Sequence, residues 1–199
     1  MTIHGFEQHS PEWYEIRRGK FTCSTLADLF MDKKTKGYNE AINKVVFERL
    51  TGDIPESFVN DYMRRGSELE PFAREKYAVE TFNNVEQVGF IEYSDWFGYS
   101  PDGLVGEMGL IEIKCPKFST LIDFALNKKI PKEYRYQMQG GLLASEREWC
   151  DFIMFHPKMK ILIIRVHRDE ETIKAIEQVL SESTEEVIKR IDKIRSENG

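Results

Sequence analysis

Three charged residues define the chemistry open to this sequence: Asp102 in Ser100-Pro101-Asp102-Gly103, and Glu112 and Lys114 in Leu110-Ile111-Glu112-Ile113-Lys114-Cys115-Pro116. Side chains alternate along a strand, so Glu112 and Lys114 share one face while Ile111, Ile113 and Cys115 share the other. Charges set among isoleucines are costly to bury unless a partner or a metal compensates them. Asp102 falls in a turn, and a hairpin would return it beside Glu112, giving a pocket of two carboxylates and one ammonium. Mg²⁺ is a hard ion that commonly takes one or two protein carboxylates, several waters and substrate phosphate. Asp102 and Glu112 meet that requirement. The matching chemistry is phosphodiester hydrolysis, where a metal generates hydroxide and a second ion about 3.5–4 Å away steadies the leaving oxygen. Lys114 would position or deprotonate the attacking water, or stabilise the pentacovalent phosphate. The plainer alternative is a cross-strand ion pair on an exposed sheet face.

These side chains need a scaffold, and the hydrophobic periodicity supplies one. Ser10 caps a short helix starting at Pro11 that carries Trp13, Ile16 and Arg17 and ends at Gly19. Ser24 is placed to cap a second short helix through Leu26 and Leu29, and Asn39 to Leu50 forms a third. Ser67 to Phe82 reads as a longer helix with Glu68 and Glu70 near its start. Strand candidates follow at Val88 to Tyr93, Phe97 to Ser100 and Leu110 to Cys115, then helices at Thr120 to Asn127 and Lys132 to Ala144. A second strand pair, Cys150 to Phe155 and Ile161 to His167, precedes a final helix from about Asp169 to Ile194. Ile173, Leu180, Val187 and Ile194 recur there at heptad spacing, which suits packing on its own core or a contact between subunits. The expected fold is a single α/β domain over residues 1–199: a central mixed sheet flanked by helices, a helical N-terminal part and a long C-terminal helix.

Composition narrows the class. With 199 residues, 41% of them hydrophobic and 31% charged, the chain is neither a membrane-spanning nor a disordered protein by composition. Met1-Thr2-Ile3-His4-Gly5 lacks a basic segment followed by an apolar one, so a cytoplasmic location is expected. Three cysteines without C-x-x-C spacing, and four histidines outside any H-E-x-x-H pattern, argue against zinc and disulfide frameworks. Cys115 is read as a small buried hydrophobe facing away from Lys114. A net charge of −6 excludes a protein that coats nucleic acid with its whole surface. Local basic runs remain: Lys114, Lys117, Lys128, Lys129, Lys132 and Arg135 around the central motif, and Lys33, Lys34 and Lys36 nearer the start. Either suits a phosphate track or an ordinary solvated loop, and Tyr38 and Phe118 suit either stacking on a separated base or the core.

Pro101-Asp102 with Glu112-Ile113-Lys114 resembles the PD-(D/E)xK nuclease superfamily. The ordered series Trp13-Tyr14-Glu15-Ile16-Arg17-Arg18-Gly19, Thr22-Cys23-Ser24, Gly66-Ser67-Glu68-Leu69-Glu70, Tyr134-Arg135-Tyr136-Gln137-Met138-Gln139 and His156-Pro157-Lys158-Met159-Lys160 is similar to the phage lambda exonuclease, or YqaJ-like viral recombinase, family. The resemblance implies a restriction-endonuclease-like core. It also implies an Mg²⁺-dependent exonuclease, with Mn²⁺ able to substitute and two ions at the site. Such an enzyme digests duplex DNA from 5′ ends and leaves a 3′ strand for a single-strand annealing protein. By the same resemblance Asp102, Glu112 and the Ile113 carbonyl hold metal, Glu70 stands near the second ion or its waters, and Lys114 is the lysine of the reaction. Gln137 would steady the nucleophile or the scissile phosphate, with Gln139 pointing elsewhere, and Arg17 with Ser24 would bind the 5′-terminal phosphate. A homotrimeric ring around DNA belongs to the same expectation. The alternatives are another endonuclease or junction resolvase of the superfamily, and an inactive DNA-end-binding recombination scaffold.

Overall fold

The computed structural model describes residues 1–55 and 61–197. Its elements run β1 (Thr2–His4), α1 (Pro11–Arg17), β2 (Phe21–Thr22), a single 3₁₀ turn (Cys23–Thr25), α2 (Leu26–Leu29), α3 (Lys36–Thr51) and α4 (Asp61–Thr81). Then come β3 (Val85–Glu86), β4 (Phe90–Glu92), β5 (Phe97–Tyr99), β6 (Gly103–Val105), β7 (Gly109–Lys114), α5 (Phe118–Asn127), α6 (Lys132–Ser145), β8 (Trp149–Met154), β9 (Leu162–His167) and α7 (Glu170–Glu197). The strands form two mixed sheets in place of one, a four-stranded sheet ordered β1-β4-β5-β2 and a five-stranded sheet ordered β3-β6-β7-β8-β9. β6 and β7 make the expected hairpin, and β7 runs parallel to β8, so α5 and α6 form the crossover between them.

Each face of the larger sheet has its own core. Leu110, Phe152 and Met154 on one face join residues of α2, α3, α6 and α7 in the main cluster. Ile111, Ile113 and Ile153 on the other face pack against Ala73 and Tyr77 of α4. This separation is the physical result of strand alternation. It sends Glu112 and Lys114 toward α6 and leaves the isoleucines for α4.

Two expected elements shift. α4 begins at Asp61 instead of Ser67, because a helix anchored by buried Ala73 and Tyr77 tolerates Gly66 in its interior. In α7 the buried stripe is Ile173, Ile176, Leu180, Ser183, Val187 and Ile191, while Ile194 is exposed. A straight helix drifts off a heptad repeat, so after five turns the core face returns to Ile191. The inward stripe on α7 is therefore used within the chain, against α3, α6 and α2.

Candidate active site

Asp102 stands immediately before β6, and its Oδ2 accepts the Ile113 backbone N–H at 2.6 Å. The β6–β7 ladder ends at Gly103 opposite Ile111, so the carboxylate occupies the place the next strand residue would have taken. A residue's N–H and C=O leave a strand on the same side, which turns the Ile113 carbonyl toward the Asp102 edge. Gly103 permits the close approach: a Cβ there would lie 2.3 Å from Val85 Cγ1 and 3.0 Å from the Ile111 side chain.

Glu112 is only 1% exposed, and its charge is met by three donors. Its Oε1 accepts Gln137 Nε2 at 2.6 Å and faces Lys114 Nζ at 2.7 Å, and its Oε2 accepts the Tyr99 hydroxyl at 3.1 Å. Gln137 reaches in from α6, a helix that lies close over α2 because residue 140 is glycine. A Cβ at Gly140 would sit 2.3 Å from Leu26 Cδ1. Gln139 points elsewhere as expected, donating to the His167 carbonyl at 2.8 Å and accepting the Asp169 N–H at 2.9 Å. Glu70 approaches from α4 on the opposite side. Its carboxylate pairs with Arg74, whose Nε donates to the Asp102 carbonyl at 2.7 Å.

The electrostatics show carboxylates crowded in a dry place. Burial, then repulsion from Glu112 and Glu70, holds the Asp102 carboxyl well above the usual range against the pull of Lys114 and the Ile113 N–H. Burial likewise raises Glu70, with Arg74 opposing it and Glu112 adding to it. For Lys114 burial works to lower the pKa, but Glu112 and Asp102 outweigh it, and the ammonium stays charged. Among the described residues no group of three or more His, Cys, Asp or Glu closes around a single point. The oxygens of Asp102, Glu112 and the Ile113 carbonyl nonetheless fit a hard ion that completes its shell with water and phosphate, and the repulsion at Asp102 is the kind a cation relieves.

Arg17 occupies a neighbouring cleft of about 580 Å³ whose walls include Trp13, Lys44 and Arg64. Arg17 Nη1 donates to the Ser100 hydroxyl at 2.7 Å, and Trp13 Nε1 donates to the same oxygen at 2.9 Å. The guanidinium lies 4.1 Å from the Trp13 ring centroid, and burial pushes its pKa down to about 10. Ser24 departs from expectation. It is exposed within the 3₁₀ turn, its hydroxyl is 3.1 Å from that of Thr22, and the cap is made by Thr25 Oγ1 on the Thr22 backbone. The helix that follows has four residues, too short for a useful dipole, and Thr22 lines the Arg17 cleft in its place.

Other expectations divide. Tyr38 is buried, which ends its candidacy for base stacking, whereas Phe118 is exposed. Cys115 packs partly against the α4-side core, and burial with Glu70 and Asp102 lifts its thiol to about 11. Lys33 is paired with Glu182 of α7 at 3.2 Å. Several contributors had no local signal. Gln8 donates to the Val88 and Pro101 carbonyls at 3.1 and 2.8 Å, clamping the turn before Asp102, and Tyr99, Ser100 and Arg74 act through partners that only folding brings near.

The YqaJ-like viral recombinase domain model matches residues 12–148, a span that holds every candidate site residue. The chain belongs to the YqaJ-like viral recombinase family. Among solved structures, an alkaline exonuclease (LHK-Exo) from Laribacter hongkongensis is 36% identical, covers 95% of this chain and 98% of its own, and superposes with TM-score 0.88. Its complex with dAMP gives TM-score 0.89 at the same identity and coverage. A phage-related exonuclease from Haemophilus somnus shares the fold at TM-score 0.71 and 19% identity, over 88% of this chain and 96% of that one. No curated protein matches. The fold is therefore of the PD-(D/E)xK class, with the strands of this chain distributed over two sheets. Among the described residues no helix is long and apolar enough to cross a membrane.

Proposed function

We propose that this chain is an Mg²⁺-dependent exonuclease that degrades one strand of linear duplex DNA from its 5′ end, leaving a 3′ single strand for an annealing protein. The observation that carries this is the covalent link between the two clefts: Ser100, held by Arg17 and Trp13, is two residues from Asp102. A cationic pocket for a terminal phosphate so adjoins the carboxylates, in a chain related to an alkaline exonuclease over nearly its whole length. Asp102, Glu112 and the Ile113 carbonyl would hold Mg²⁺ or Mn²⁺, with Glu70 serving a second ion or its waters, and the ion would supply an activated water and neutralise phosphate charge. Around it, Lys114 keeps its proton and offers a positive charge to the scissile phosphate. Gln137 fixes the Glu112 carboxylate and has a second amide atom to orient the nucleophile. Arg17 draws the 5′ phosphate into the cleft, so that each cut presents a new one. A ring of three copies and an annealing partner complete the proposal, and sedimentation and co-purification from the native source test them.

The deciding assay compares linear duplex with covalently closed circles, using strands labelled at either end. Mononucleotide release from 5′-labelled linear DNA, abolished by EDTA and by Lys114→Ala, is the expected result. Cutting of circles would make the chain an endonuclease, and no metal-dependent release at all would make it a binding scaffold.

A further inference from the structure

We propose that the outer face of α5, together with the cationic cleft at its far end, is a track for single-stranded DNA, namely the strand that escapes digestion; this rests on the exonuclease reading above. α5 is apolar on two opposite faces. Inside, the Phe124 ring lies 5.5 Å from that of Phe152, which is paired with Glu112 in the sheet register. Tyr134 lies 5.4 Å from the same Phe152 ring and holds Lys114 Nζ 5.1 Å from its own centroid. α5 thus roofs the face of the sheet that carries Glu112 and Lys114. Outside, Phe118, Ile122 and Leu126 recur at every fourth residue and are 81%, 45% and 76% exposed. A row of three large apolar side chains in water marks an interaction surface more than a chance surface residue does.

The row is about 12 Å long along the helix axis and ends at the exposed Lys128 and Lys129. Lys128 is also the lip of a cleft of about 430 Å³ whose walls include Lys132, Arg135 and Tyr136, with Lys132 Nζ 5.4 Å from the Tyr136 ring centroid. Asp169, the cleft's acid, is engaged by the Thr172 hydroxyl at 2.6 Å and the Glu171 N–H at 3.2 Å. An apolar row running into a cluster of cations is thereby set on a chain whose net charge is −6. A duplex would use the cations but keeps its bases stacked away from Phe118, Ile122 and Leu126. A single strand offers phosphates to the lysines, an open base face to the Phe118 ring, the pairing that sequence-tolerant single-strand binders use, and apolar contact to Ile122 and Leu126. α5 starts just beyond the end of β7 that bears Lys114, where a duplex opened for hydrolysis would release its intact strand.

Fluorescence anisotropy with a 5′-hydroxyl oligodeoxythymidylate, in EDTA so that nothing is cut, tests the track. Phe118→Ala with Leu126→Ser is expected to weaken binding about tenfold or more while leaving the salt slope in place. Lys128→Glu with Lys132→Glu is expected to weaken it and to flatten the log–log salt slope by roughly 1 to 2. The wild-type chain should crosslink a 4-thiothymidine oligonucleotide to the peptide containing Phe118, a readout independent of any variant's folding. Wild-type affinity in both double variants, or no crosslink to α5, would overturn the proposal. So would an apolar variant that binds the oligonucleotide normally but changes sedimentation, since the face would then join copies of this chain, or one that loses only an acidic protein partner. Duplex digestion by the wild type is scored separately: its failure would remove the exonuclease reading, whereas a failed anisotropy and crosslinking result beside normal digestion would remove only the track.

Discussion

Glu112 is held by Tyr99, Gln137 and Lys114 at once, so each donor can be removed in turn to learn what it contributes. Gln137→Ala should lower turnover roughly 10–100-fold and raise the Mg²⁺ concentration needed for half activity, the usual cost of losing a group that orients a metal-binding side chain. Tyr99→Phe, which removes the longer bond, should cost less in the same titration. The Asp102 and Glu70 carboxyls, both raised from ordinary values of 3.8 and 4.5, give a pH dependence of defined sign. A raised acid stabilises the fold below its unfolded pKa, and that contribution is lost as pH rises through the folded value. The metal-free protein should therefore lose stability above about pH 4 from these groups, and Mg²⁺ should raise Tm more at pH 8 than at pH 5. Differential scanning fluorimetry at the two pH values measures this, and an equal gain at both would contradict it. At Arg17, replacement by alanine should depress digestion of 5′-phosphorylated ends far more than of 5′-hydroxyl ends, because the guanidinium is held over Trp13 and against Ser100 beside the cleft.

Elements hold these side chains, and α4 is tied to the sheet by a buried polar network. Tyr77 donates to Asp151 Oδ2 at 2.7 Å, and Arg165 makes two 2.8 Å bonds to the same carboxylate from β9. Asp151→Ala should destabilise the protein by about 1–3 kcal/mol, because the buried Tyr77 hydroxyl loses its acceptor while Arg165, 44% exposed, stays in water, and Tyr77→Phe by about 0.5–1.5 kcal/mol. Urea unfolding would separate the two. β7 was legible in the sequence because β-branched and charged side chains alternate along Ile111-Glu112-Ile113-Lys114, and the charges announced themselves by being among isoleucines, although every residue of the strand but Lys114 is buried. β2 and β3 were not, because strands of two residues exist through their partners and carry no period of their own. The short helix over Leu26 and Leu29 was foreseen but its cap was not: Thr22, Ser24 and Thr25 are all hydroxyl residues, and only the tight turn they share puts the Thr25 hydroxyl, in place of Ser24, on the Thr22 backbone.

At the scale of the whole molecule, a chain of net charge −6 must bind its polyanionic substrate through local cations. DNA affinity should therefore fall steeply with added salt, by a slope set by the few lysines and arginines engaged. Anisotropy between low and physiological ionic strength measures it, and a flat response would exclude a phosphate-led interface. That Pro101-Asp102, Glu112-x-Lys114 and Gln137 come together could be read from the primary structure, because the first two sit on one hairpin and Gln137 follows on the crossover helix above it. The union of α1 with the Asp102 turn could not, since Arg17 meets Ser100 across 83 positions and Gln8 meets Pro101 across 93. That union has a dimensional consequence. Two residues of extended backbone, from Ser100 to Asp102, span at most about 7 Å, so the Arg17–Ser100 contact and the Asp102 carboxylate are locked at a fixed separation. Under the proposed function that separation acts as a built-in ruler, and it should set the bite size, yielding monomers rather than a ladder of short oligomers on a sequencing gel.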